Sequence, residues 1–131
     1  MFVETLFTIS ALDKYVDVNE WTNIIGLKPL AAVTKGEKST SNPRSLISVD
    51  SWWTYGINKT DSESVESQLK EVLKELLLHH DAIQSIQKFG NIDLTIASFV
   101  WSIDDTLILD LSLDTIKDLN LLGCSYSITS Y

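Results

Sequence analysis

A chain of 131 residues, 44% apolar and with a formal net charge of −8, is long enough to bury one real core and is expected to form a single domain over residues 1–131. Cys124 is the only cysteine, which excludes an internal disulfide and any cysteine-rich zinc site. The longest apolar stretch, residues 103–113, is broken by Asp104, Asp105 and Asp110, so no membrane span is expected. Met1-Phe2-Val3-Glu4 lacks the basic-then-apolar order of a signal peptide, which predicts a cytoplasmic chain.

The charge is unevenly placed. Residues 1–45 hold five acids and five bases, and from Leu46 onward thirteen acids face only Lys59, Lys70, Lys74, Lys88 and Lys117. A field of this sign repels nucleic acid and attracts basic proteins, although it also serves plain solubility.

In chain order, Val3, Thr5, Phe7 and Ile9 alternate with Glu4, Thr8 and Ser10 and predict a first strand. Asp17 and Glu20 have the spacing of a capping box opening a short helix through Trp21, Ile24 and Ile25, and Gly26 ends it. Residues 28–44, with two prolines, Gly36 and four bases, read as a mobile loop. Leu46 to Ile57 reads as a strand with Ile47, Val49, Trp53, Tyr55 and Ile57 on one face and Trp52 on the other. A long helical pattern runs from about Ser62 to Gly90, with a possible break at His79-His80-Asp81.

Asn91 to Ser102 is the next strand, and its change of apolar phase from Ile96 to Phe99 and Trp101 suggests a bulge or burial on both faces. Leu107, Leu109, Leu111 and Leu113 alternate as a further strand, and Ser112 caps a helix with Ile116, Leu119 and Leu122 on its apolar side. Gly123 stops that helix, and Cys124, Tyr126 and Ile128 form a last strand woven into the sheet. The predicted fold is α+β, one mainly antiparallel or mixed sheet of about five strands with helices on one face, in the order β-α-β-α-β-β-α-β. The first and last units look alike, a weak sign of ferredoxin-like pseudosymmetry.

No residue set carries chemistry, so no catalytic residue, metal or cofactor is predicted and the chain is expected not to be an enzyme. Adjacent helical residues such as His79 and His80 point about 100° apart and do not hold one metal between them. The acids Asp104, Asp105, Asp110, Asp114 and Asp118 lack the oxygen ladder and glycine of a calcium loop. Cys124 falls in phase with Tyr126 and Ile128 as a small hydrophobe. The aromatics are more informative. If helices cover one face, Leu6, Trp52, Ile108 and Phe99 or Trp101 lie on the other, an apolar patch fringed by Asp50, Asp93 and Asp110 that has the composition of a protein interface.

At Gly26-Leu27-Lys28-Pro29, Thr34-Lys35-Gly36-Glu37, Ser51-Trp52-Trp53-Thr54, and Leu111-Ser112 through Leu122-Gly123 to Ser130-Tyr131, the chain resembles a bacterial domain of unknown function, number forty-two seventy-nine. The resemblance runs over nearly the whole chain and implies the fold without assigning any catalytic residue. Trp52 before Trp53, and the lack of a Pro-Gly before the Leu-Ser strand, depart from the family's usual pattern. Small acidic families of this kind resemble the immunity proteins of polymorphic toxin systems. The expectation is therefore an immunity protein that occludes a cognate basic toxin domain, such as a contact-dependent growth inhibition RNase, without touching nucleic acid or membrane. Asp50, Trp52, Asp104, Asp105, Asp110 and Asp114 are its expected contact residues. The alternative is a housekeeping binding module or homodimer without catalysis.

Overall fold

The computed structural model describes residues 1–38, 46–102 and 109–131. Their order is β1 (Phe2–Ala11), α1 (Val18–Ile25), β2 (Ala31–Val33), β3 (Ser51–Asp61), α2 (Val65–Leu78), α3 (His80–Gln87), β4 (Ile92–Trp101), α4 (Leu113–Leu122) and β5 (Ser125–Ser130). The fold is α+β, as predicted. One five-stranded sheet has the spatial order β2-β3-β1-β4-β5, antiparallel throughout except for the parallel β4–β5 pair.

β1 is central because every second residue can be buried. Val3, Thr5, Phe7, Ile9 and Ala11 are fully buried, while Phe2, Glu4, Leu6, Thr8 and Ser10 are not. Phe7, Ile9 and Ala11 meet Trp21 and Ile25 of α1, Leu69, Val72, Leu73 and Leu76 of α2, Ile83 and Ile86 of α3, and Leu119 and Leu122 of α4 in one core, and Val3 packs with Val65 and Val100 in a second, smaller cluster. All four helices thus cover the same face. Asp17 caps α1 by accepting the Asn19 N–H, and Gly26 ends it with φ 79°. Gly123 ends α4 in the same left-handed region, where only glycine is free of a Cβ penalty. Gly56 has a different duty: a Cβ there would run into the Thr5 carbonyl oxygen of the neighbouring strand.

Polar groups are also buried under the helices, and each is paired. Tyr126 donates its hydroxyl proton to Ser98 Oγ at 2.8 Å, Ser98 and Thr5 hydroxyls meet at 3.1 Å, and Thr5 donates to Gln68 Oε1 at 2.7 Å. Gln68 Nε2 completes the chain by donating to the Val3 carbonyl at 2.7 Å. Such a network ties α2 and β5 to β1 and β4 in one register, since a half-made version would strand buried donors.

Several sequence expectations are corrected in detail. The loop over residues 28–44 contains strand β2, whose Ala32 and Val33 pair with Trp53 and Trp52; three residues among prolines and serines show no periodicity. The strand expected from Leu46 begins at Ser51; before it Ile47, in an isolated bridge to Lys38, is 60% exposed and Val49 is 68% exposed. There Asp50 is occupied as an acceptor for the Asp13 N–H at 2.6 Å. The long helix breaks at His79, at the expected place, into α2 and α3. β4 keeps an unbroken register with β1, so its phase change is no bulge: Ser98 sits on the core side and Phe99 and Trp101 face away. The irregularity lies instead in β3, opposite Glu4.

Of the strand expected at Leu107 to Leu113, Leu107 and Ile108 lie outside the described residues, residues 109–112 are in no strand, and Leu113 opens α4. Ser112 caps that helix as expected, but its buried side is Thr115, Leu119 and Leu122, with Ile116 exposed. The first and last units are not alike in pairing, since β1 lies antiparallel to β3 and β4 parallel to β5.

Glu66, in the first turn of α2, holds α4 in place. Its Oε1 accepts from the Ser112 N–H at 2.6 Å and from the Thr115 hydroxyl at 2.7 Å. These hydrogen bonds to the charged form lower its pKa from 4.5 to about 2. A carboxylate with a depressed folded pKa adds stability above its unfolded value, and that stability is lost as pH falls from about 4.5 towards 2. Glu66→Gln should therefore flatten the fall of Tm over this window, measured by thermal unfolding at a series of pH values. An acid limb as steep as that of the wild type would show that Glu66 does not link the two helices.

Candidate interaction surface

Among the described residues, no helix and no second sheet packs on the other face of the sheet. Strand register sets its rows. Trp52, Ser10 and Asp93 stand side by side; then come Thr54, Thr8 and Thr95, and then Gly56, Leu6 and Ala97. Glu4 pairs with Phe99, and Phe2 stands between Asp61 and Trp101. Leu6, Trp52, Phe99 and Trp101 are all on this face and half-buried, as the alternation predicts.

The face has two unlike ends. At one, Trp101 stacks on Tyr131 with ring centroids 5.1 Å apart, and the Lys59 ammonium lies 4.1 Å from the Trp101 ring and 5.9 Å from Phe2. At the other stands Trp52, eight β1 residues away, or about 27 Å at strand rise. Small hydroxyl residues fill the middle, with Thr8 and Thr54 joined at 3.1 Å. Glu4 and Asp93 point from the face itself, and Asp61 and Asp50 stand at its corners; Asp61 is bound to the N-terminal ammonium at 3.3 Å.

The expected contact residues are not all brought together. Asp50 and Trp52 are neighbours at the end of the face where β1 finishes. Asp13, whose N–H holds Asp50, has its own carboxyl pulled below the usual range by Lys35, 2.9 Å away. Asp110 and Asp114 are exposed but lie at the start of α4, beside the N-terminus of α2, on the helical side and towards the opposite end. Asp104 and Asp105 lie outside the described residues. Asp50 and Trp52 thus lie together at one end of the open face, and Asp114 lies on the helical side. Sequence reasoning missed Glu4 and the Lys59–Trp101–Tyr131 stack. The Glu4 signal was present, since alternation puts it with Leu6; the stack depends on strand pairing.

His80 and Cys124 have structural surroundings. His80 Nε2 is 3.0 Å from the Leu121 carbonyl oxygen and so joins α3 to α4. Burial pushes the Cys124 thiol up to about 11, which keeps it protonated and a poor nucleophile. Among the described residues no three His, Cys, Asp or Glu side chains are grouped to hold a metal ion, and no helix is long and apolar enough to cross a membrane.

A single acidic α+β unit with an open, aromatic-bearing sheet face is thus the class that the fold defines. The chain belongs to the family described as Domain of unknown function (DUF4279), whose profile matches residues 4–131. Neither the curated proteins nor the solved structures contain a match.

Proposed function

We propose that this chain is a cytoplasmic immunity protein that binds a cognate toxin domain, a basic nuclease, and blocks its active site or substrate groove. The observation that carries this reading is the sheet face that no helix or second sheet covers among the described residues, which presents Trp52, Leu6, Phe99 and Trp101 with Glu4 and Asp93 among them. A nuclease must attract a polyanion, so its working face is basic. An acidic protein of net charge −8 meets that face by steered encounter and holds it through aromatic anchors. Inhibition of this kind needs no chemistry from the inhibitor.

The test is to titrate the cognate nuclease domain that this reading requires, which is to be sought among the genes beside this chain's own. Nuclease activity should fall to zero at one equivalent. The association rate should drop at least several-fold between low and high ionic strength, since charges at a docking rim act mainly on encounter. Undiminished nuclease activity, or an association rate flat across that range, would overturn the reading. If the chain instead pairs with itself through this face, the alternative of a homodimeric module holds.

A further inference from the structure

Only half of the predicted capping box at α1 forms. Asp17 caps the helix by accepting the Asn19 N–H at 3.1 Å, but the Glu20 side chain does not turn back to the Asp17 N–H and accepts no hydrogen bond among the described residues. Glu20 stands instead on the rim of a cavity of about 320 Å3. The walls are apolar and aromatic: Tyr15, Trp21, Ile24, Phe89 and Ile92. Tyr15 and Phe89 are 70% and 63% exposed, so both rings are accessible from solvent. Two acids, Asp17 and Glu20, share the rim with one base, Lys14, whose ammonium is engaged with the Phe89 carbonyl at 3.3 Å.

The cavity opens at the same end of the sheet as Trp52. Residues 14–17 follow the last residue of β1, Phe89 precedes β4, and the Asp13–Asp50 bond ties this corner to the start of β3. The cavity itself is on the helical side, lined by Glu20, Trp21 and Ile24 of α1, so a partner seated over Trp52 and Asp93 reaches it by wrapping round this end of the sheet.

Resting on the immunity reading, we propose that this cavity receives one arginine or lysine side chain of the basic partner. Its volume is at the small end for ligand pockets, which suits a single long side chain. Apolar walls take the methylene stem of such a residue, ring faces attract its cationic head, and Glu20 supplies a carboxylate that makes no hydrogen bond or ion pair among the described residues. An acidic side chain would meet a rim with two carboxylates, and a purely apolar one would leave Glu20 desolvated beside it.

The experiment uses the intact chain and n-butylguanidinium as a side-chain mimic, with n-butyrate and n-butanol as controls, followed by the indole signal of Trp21 in NMR spectra. Saturable shifts with the guanidinium, in the millimolar range for so small a probe, are expected, with little response to butyrate. Glu20→Gln, an exposed substitution that leaves the core untouched, should weaken the guanidinium response at least about threefold. Equal responses to all three probes, or none to the cation, overturn the pocket. With the proposed cognate nuclease domain, affinity unchanged by Glu20→Gln while Trp52→Ala weakens binding would overturn the pocket and leave the sheet-face reading standing. If the wild type does not bind that domain at all, the immunity reading falls, and the proposed arginine or lysine of its partner falls with it.

Discussion

Trp53→Ala should lower stability by about 3–5 kcal/mol, the range for deleting a large aromatic side chain from a core that cannot collapse. Trp53 is fully buried on β3, where it meets Phe7 edge-on with centroids 6.4 Å apart and stacks on Tyr55 at 6.3 Å. Its indole N–H donates to Thr22 Oγ1 at 3.0 Å, so the same side chain also joins the sheet to α1. Truncation leaves a cavity between two elements and strands a hydroxyl acceptor. For a chain of this size the loss corresponds to a fall in Tm of roughly 10–20 °C. Calorimetry or circular dichroism melting of the purified variant reads it directly. A fall of only a few degrees would mean that α1 and the sheet repack around the gap, and that this part of the core is looser than its burial indicates.

What the sequence made legible follows from the range over which each signal acts. Period-two alternation is local, so the two faces of β1, and the opposite faces of Trp52 and Trp53, were readable before any pairing was known. Helix ends were readable for the same reason: Asp17, Ser112, Gly26 and Gly123 cap where their chemistry says they should. Alternation misled at Leu107 to Leu113, where leucines two apart mimic a strand although Leu113 begins a helix that Ser112 already announced. Ile116 was misplaced because three apolar residues satisfied the helical period, whereas the fold buries Thr115, whose hydroxyl Glu66 requires.

The candidate site suffered most, because its residues are joined only by strand order. β4 enters the sheet beside β1, and α4 then crosses the helical side, which carries Asp110 and Asp114 away from Asp50 and Trp52. Nothing local encodes that separation. The cavity at α1 was equally hidden, since Tyr15, Glu20 and Phe89 meet only after β1 and β4 pair.

The central claim is that the sheet face opposite the helices docks a basic protein, and Trp52 tests it most directly. Trp52 is half-buried, paired with Ser10 and with Val33, so Trp52→Ala should cost only about 1 kcal/mol of stability, far less than Trp53→Ala. As an anchor it should nevertheless contribute about 2 kcal/mol or more to binding, or roughly thirtyfold in Kd. Titrating the proposed cognate nuclease domain with wild type and Trp52→Ala, beside thermal unfolding of both, separates the two effects. Folding close to that of the wild type, with affinity weakened about thirtyfold or more, is the predicted result. An unchanged Kd, or a Trp52→Ala protein that unfolds as readily as Trp53→Ala, would contradict the assignment of this face to the partner.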